Sequence, residues 1–219
     1  MLNWLLQYFI QRLITIPGIV VGLSIHEFGH AKVAQLCGDR TAEAQGRVTL
    51  DPLAHIDWTG IMCLFVFGFG WGKPVMINPR NFKHPRRDCI FVGLAGVTLN
   101  LVTAFVFAFI TRLVFEFAPA FFFSGEIGEV TRSVLVSTVV INVSLMLFNL
   151  IPVPPLDGFG VLAEILNIKV KYPKAYFWLR TYGSKILFLL IIIGARSGML
   201  STPVSIVYNW IFDIAFIGL

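Results

Sequence analysis

Long apolar runs broken by short polar ones dominate the chain. Residues 18–25 are apolar and lead into His26-Glu27-Phe28-Gly29-His30. The run continues through 31–37 and stops at Gly38-Asp39. Pro17, just ahead of it, suits the first turn of a helix. The spacing thus predicts a helix over 17–37, about one bilayer thick. Residues 90–110 and 133–151 are long enough to cross, the second interrupted only by Asn142, Ser144 and Asn149. Residues 186–195 and 203–219 are two further candidates, the first short unless it extends back through Tyr176. Residues 61–71 are too few to span and read as a re-entrant or interfacial segment. Residues 47–50 alternate in a strand-like way, and Asp51-Pro52 and 55–58 read as turns. Four to six spans result, in one domain over 1–219.

Composition narrows the class. The 219 residues are 57% apolar and 13% charged, and a soluble globule of this length has no means of hiding so much apolar surface. The fold class expected is an all-α polytopic membrane protein. A cleaved signal peptide is not expected, because Arg12 interrupts the first apolar stretch. Cys37, Cys63 and Cys89 form no CxxC pair and no disulfide framework.

Charge orients the bundle. The formal excess of 17 Lys and Arg over 12 Asp and Glu fits membrane-flanking loops, and no basic stripe interleaved with aromatics suggests nucleic acid. Residues 73–88 and 169–185 are rich in Lys and Arg, whereas 113–130 carry Glu116, Glu126 and Glu129 without a base. The positive-inside rule puts the first two in the cytoplasm and the third outside. Helix 133–151 then runs inward and delivers Asp157 near the cytoplasmic face. His26 and His30 reach a comparable depth if 61–71 does not cross.

His26 and His30, four apart on one helix face, can bind one metal ion. Glu27, about 100° around the helix, reaches a water instead of the metal and suits a general base. Ionisable residues clustered in a span point to function. A third ligand is needed, and Asp157 is the strongest candidate: the proline-rich 152–155 ends a helix and presents its carboxylate. His84 reads as a solvated loop residue. His55 reads first as a turn histidine and, as the alternative, as a substrate-binding residue lining the site. Asn149 and Asn142, seven apart, lie on nearly the same face. Both are candidate substrate-binding residues: Asn149 suits interhelical bonding or a substrate backbone equally, and Asn142 suits packing first. Gly93, Gly96 and Asn100 read as close-packing and interhelical bonding positions.

These segments resemble the site-2 protease family of intramembrane zinc metalloproteases, in its compact prokaryotic form. HEFGHAKVAQLCGD at 26–39 is similar to the family's HExxH helix, and NLIPVPPLDG at 149–158 to its NxxPxPPLDG signature. GRVTLDPLAHID at 46–57, GWGKPVMINPRNF at 70–82 and GLAGVTLN at 93–100 also match. The last departs where Gly96-Val97 replaces the usual Gly-Pro. The resemblance covers about 15–160. It implies a three-helix catalytic core, a small β-like re-entrant segment, one Zn2+ on His26, His30 and Asp157, and Glu27 as base. It also implies a transmembrane protein or peptide as substrate. No insertion is long enough for a PDZ or CBS domain, so gating falls to the membrane segments, such as 176–219. The reading is a multi-pass cell-membrane protease with its site towards the cytoplasm and its oligomeric state open. A zinc transporter using the same polar cluster, or a non-catalytic scaffold of the same fold, is the alternative.

Overall fold

The structure, a computed structural model, describes residues 2–67, 70–197 and 201–217. Parts of two expected segments, 68–69 and 218–219, lie outside the described residues. α1 runs over Leu2–Leu36 without a break. The expectation that it begins at Pro17 is corrected: Pro17 lies inside the helix. Its ring removes one amide donor, a loss that spanning helices tolerate when neighbouring helices hold them. α1 is so held, since a Cβ at Gly18 would lie 2.9 Å from the Thr138 Cα.

Gly38, at φ 110°, turns the chain at the end of α1, and no side chain is readily accommodated there. Three short helices follow, α2 (Thr41–Ala44), α3 (Pro52–His55) and α4 (Trp58–Phe67). The ten residues of α4 make ~15 Å of helix, half the ~30 Å hydrocarbon core, in keeping with a segment that does not cross. No strand forms over 47–50. Arg47 N–H closes a turn onto the Ala42 carbonyl, and its guanidinium is drawn to the Lys73 carbonyl. The β character of the region reduces to one antiparallel bridge, Ile56 with Gly72. Beside it Lys73 N–H donates to the His55 carbonyl at 2.8 Å.

The remaining elements are α5 (Pro85–Phe117), α6 (Pro119–Phe123), α7 (Gly125–Asn149), α8 (Asp157–Ile165), α9 (Ile168–Lys171), α10 (Pro173–Ser197) and α11 (Ser201–Ala215). α1, α5 and α7 pack pairwise into a three-helix core, with α8 against α5. α11 seals the far end: Ile211 and Ala215 pack on Ala104, Ala108, Val139 and Val143, and Arg112 donates to the Ala215 carbonyl. Four helices among the described residues are long and apolar enough to cross a membrane: Leu6–Leu36, Pro85–Phe117, Gly125–Asn149 and Pro173–Gly194. Their outer faces expose side chains such as Val106, Phe109, Leu189 and Ile193, an apolar surface suited to lipid contact. The protein is an all-α polytopic membrane protein.

Candidate active site

α1 brings His26 and His30 against α5 at the point where α5 is narrowest. A Cβ at Gly96 would sit 2.6 Å from His26 Nδ1 and from His30 Nε2, so only glycine leaves room for both rings. Asp157, in the first turn of α8, closes the group. The chain reaches it from α7 through 150–156, where the Pro154–Pro155 bond is cis. Its Oδ2 lies 3.2 Å from Nε2 of each imidazole, and the two Nε2 atoms are 3.0 Å apart.

Hydrogen bonds fix which atoms face inward. His30 Nδ1 is 2.7 Å from the Val92 carbonyl, which can only accept, so Nδ1 carries the proton. His26 Nδ1 donates to Asn100 Oδ1 at 2.7 Å. The Asn100 amide is itself oriented, because its nitrogen donates to the Gly22 carbonyl and to Asn142 Oδ1, both at 3.0 Å. Asn142 in turn donates to the Thr138 carbonyl. Both Nε2 atoms therefore present lone pairs, and buried Asp157 Oδ2 has no hydrogen-bond donor. Three electron-pair donors converge with no protein proton between them. Such an arrangement suits a cation. Tetrahedral coordination with bonds of about 2.0–2.1 Å spaces its donors about 3.3 Å apart, close to the separations observed. His, His and Asp with a fourth direction open match a catalytic zinc donor set.

Glu27 stands beside this group. It lines the same cavity of about 640 Å³ together with Leu23, Val75, Phe148 and Asn149. Its Oε2 accepts from the Val75 N–H at 2.9 Å. That N–H belongs to the extended segment 70–78, which forms the opposite wall. The segment is pinned at its end by buried Asp39. Its carboxylate accepts from Asn78 N–H at 2.7 Å, from the Asn81 amide at 2.8 Å, and from Thr41. Burial opposes ionisation of Asp39, but these donors outweigh it and hold the carboxyl below the usual carboxylate range.

Comparison with known proteins agrees with this architecture. The profile of Peptidase family M50 matches residues 124–193. "Putative zinc metalloprotease YwhC" of Bacillus subtilis is 35% identical over 80% of this chain and 78% of its own length. "Putative zinc metalloprotease Rip2" of Mycolicibacterium smegmatis is 29% identical over 96% of this chain and 74% of its own. Its namesake in Mycobacterium tuberculosis strain H37Rv is 28% identical over 98% and 81%. The chain belongs to peptidase family M50. No solved structure matches it.

As an M50 protein the chain is a metalloprotease built into apolar, membrane-length helices. Its sequence-expected residues are distributed unevenly around the site. His26, Glu27, His30, Asn149 and Asp157 line one cavity. Asn142 does not; it is fully buried behind the histidines as the partner of Asn100. His55 does not either. It is fully buried beneath the 47–57 loop, and its Nε2 donates to the Thr49 carbonyl at 2.9 Å. Sequence reasoning missed Asn100 as the orienting partner of His26, the contact of Gly96 with both rings, and Asp39 as the anchor of 78–81. Gly96 and Asn100 four apart on one helix were a signal for close approach there. Nothing local joined Asp39 to Asn78.

Proposed function

We propose that His26, His30 and Asp157 hold one zinc ion and that Glu27 is the general base of peptide-bond hydrolysis. The convergence of two Nε2 lone pairs and an unpartnered Asp157 Oδ2 within 3.0–3.2 Å carries this reading. A bound zinc ion supplies Lewis acidity, polarising a carbonyl and easing loss of a proton from water. The chain's own residues do the rest. Glu27, fixed through Oε2 by the Val75 N–H, takes the proton of the attacking water and returns it to the leaving amine. Asn149 turns its amide nitrogen onto the Leu145 carbonyl and keeps its oxygen available to a substrate N–H. The extended segment 70–78 lies across the cavity and suits a peptide that has itself unwound.

The substrate is a transmembrane protein or peptide cut within or near its membrane segment, because the cavity opens among helices with lipid-facing surfaces. Loop charge supports a site towards the cytoplasm of a cell membrane. The 219 residues act as one domain.

The test is metal content by mass spectrometry on detergent-purified protein. About one zinc per chain is expected in the wild type, with a sharp fall in His26→Ala and in Asp157→Ala. Zinc that is absent, or indifferent to Asp157, would overturn the assignment.

A further inference from the structure

We propose that the groove between α1 and α5, on the side facing away from the active-site cavity, is a binding site for one anionic glycerophospholipid. Phe28 and Lys32 each lie two residues on from His26 and His30, ~200° around the same helix. They therefore open onto the other face. The groove there has a volume of about 830 Å³, within the range of sites that hold small molecules. Gly29 and Ala95 form its buried floor, and Phe28, Leu94 and Leu99 its walls. None of these five offers a polar side chain.

Charge is confined to one end; Thr98 is a neutral polar residue on the lining beyond it. Lys32, Lys83 and Arg87 stand at the rim, all three exposed. Arg87 is partly neutralised, since its guanidinium is 3.0 Å from the buried Asp88 carboxylate. Among the described residues Lys32 Nζ donates only to the neutral Gln35 Oε1, at 2.8 Å. Among the described residues no hydrogen bond or ion pair engages Lys83 Nζ. Two ammonium groups without a counter-anion thus sit above an apolar slot. The Arg87 guanidinium lies 5.7 Å from the centre of the Phe91 ring, at the boundary between the two zones.

Dimensions choose the occupant. From Arg87 to Leu99 along α5 is ~18 Å, close to one leaflet's share of the ~30 Å hydrocarbon core. A transmembrane helix would need the full thickness, whereas one phospholipid needs its headgroup at the cations and its tails along the slot. Basic pockets beside spanning helices favour anionic headgroups in this way. The zinc assignment is not required: the groove shares neither His26, Glu27, His30 nor Asp157, and each proposal can fail without the other.

The test uses full-length protein in phosphatidylcholine nanodiscs doped with photoactivatable phosphatidylglycerol, with crosslinks mapped by mass spectrometry. Crosslinks are expected within 28–37 and 83–99. Unlabelled phosphatidylglycerol should compete for them and phosphatidylcholine should not. Lys32→Ala with Lys83→Ala should lower the yield about 25-fold, about five-fold per charge, while Lys32→Arg with Lys83→Arg keeps it. Three results would overturn the proposal: equal yield from a neutral photolipid, wild-type yield in the alanine pair, or crosslinking of these peptides to a second polypeptide. The wild-type map and its competition decide the matter even if the alanine pair does not fold.

Discussion

The site has two walls of different construction. The wall of α1, α5 and α7 is regular helix, with every buried amide around His26 committed to a partner. It permits no slack, since Gly96 leaves no space beside the two imidazoles. The facing wall, 70–82, is irregular backbone tied by Asp39 at 78–81, Arg47 at Lys73, Glu27 at Val75, the bridge of Gly72 to Ile56, and the packing of Ile77 and Phe82 with Ala34 and Val92. A helical wall holds the two histidines closely, and a preorganised site needs that. A wall held by a handful of contacts can yield to a substrate of variable shape. The chain thus builds the histidine side of the site from helix and the facing side from irregular backbone.

The largest effect should come from Glu27, which rises from the helical wall and bonds the facing one at Val75. Glu27→Gln is expected to keep the metal and lower hydrolysis of a transmembrane model peptide about 10²–10⁴-fold. Metal analysis beside a gel-based cleavage assay reads both, and full activity would remove Glu27 as base. Next comes the rigid wall. Gly96→Ala forces a methyl against both rings, an overpacking that typically costs about 1–3 kcal/mol. Zinc per chain should fall well below one while the circular dichroism spectrum stays helical. Unchanged zinc content would show that this wall has slack after all.

Asn100→Ala acts one step further out. His26 keeps its place on α1 but loses the acceptor that holds its tautomer, and loss of such a partner typically costs 10–100-fold in metal affinity. A chelator competition titration measures it, and the tighter wall predicts that cleavage per bound zinc changes little. The smallest effect should come from the yielding wall. Asp39→Asn is expected to cost about 1–3 kcal/mol locally, read as faster amide exchange over 75–81 and a raised KM, with zinc content unchanged. Because the folded Asp39 carboxyl titrates below its unfolded value of about 3.9, its stabilisation is complete above that pH. It fades as pH falls further through the folded pKa. Exchange over 75–81 should therefore rise below about pH 4 in the wild type and vary less in the variant.

Much of this was legible in the chain. Spans at 90–110 and 133–151 were evident because lipid-facing helices are apolar all round, and the structure lengthens them to Pro85–Phe117 and Gly125–Asn149. His26, Glu27 and His30 were legible because helical geometry is local: residues one and four apart have fixed relations. The expected strand at 47–50 failed for the opposite reason. A strand is defined by its partner, and what 47–50 meets is the turn from Ala42 and the carbonyl of Lys73. Pro17 misled because its local preference for a helix start yielded to packing of α1 on α7.

By itself, then, the sequence determined the membrane class, the helical face carrying two histidines, and the carboxylate waiting at 157. The first follows from composition, the second from spacing within one helix, and the third from the proline-rich break that ends another. Only the tertiary structure decided that Asn100, 74 residues from His26, sets its tautomer. It likewise decided that Asn142 supports Asn100 and does not line the cavity, that His55 is buried outside it, and that Asp39 tethers the facing wall. These relations join segments that touch only after α1, α5 and α7 have packed. Local spacing cannot encode them, because a hydrogen bond depends on the position of its partner and not on its distance along the chain.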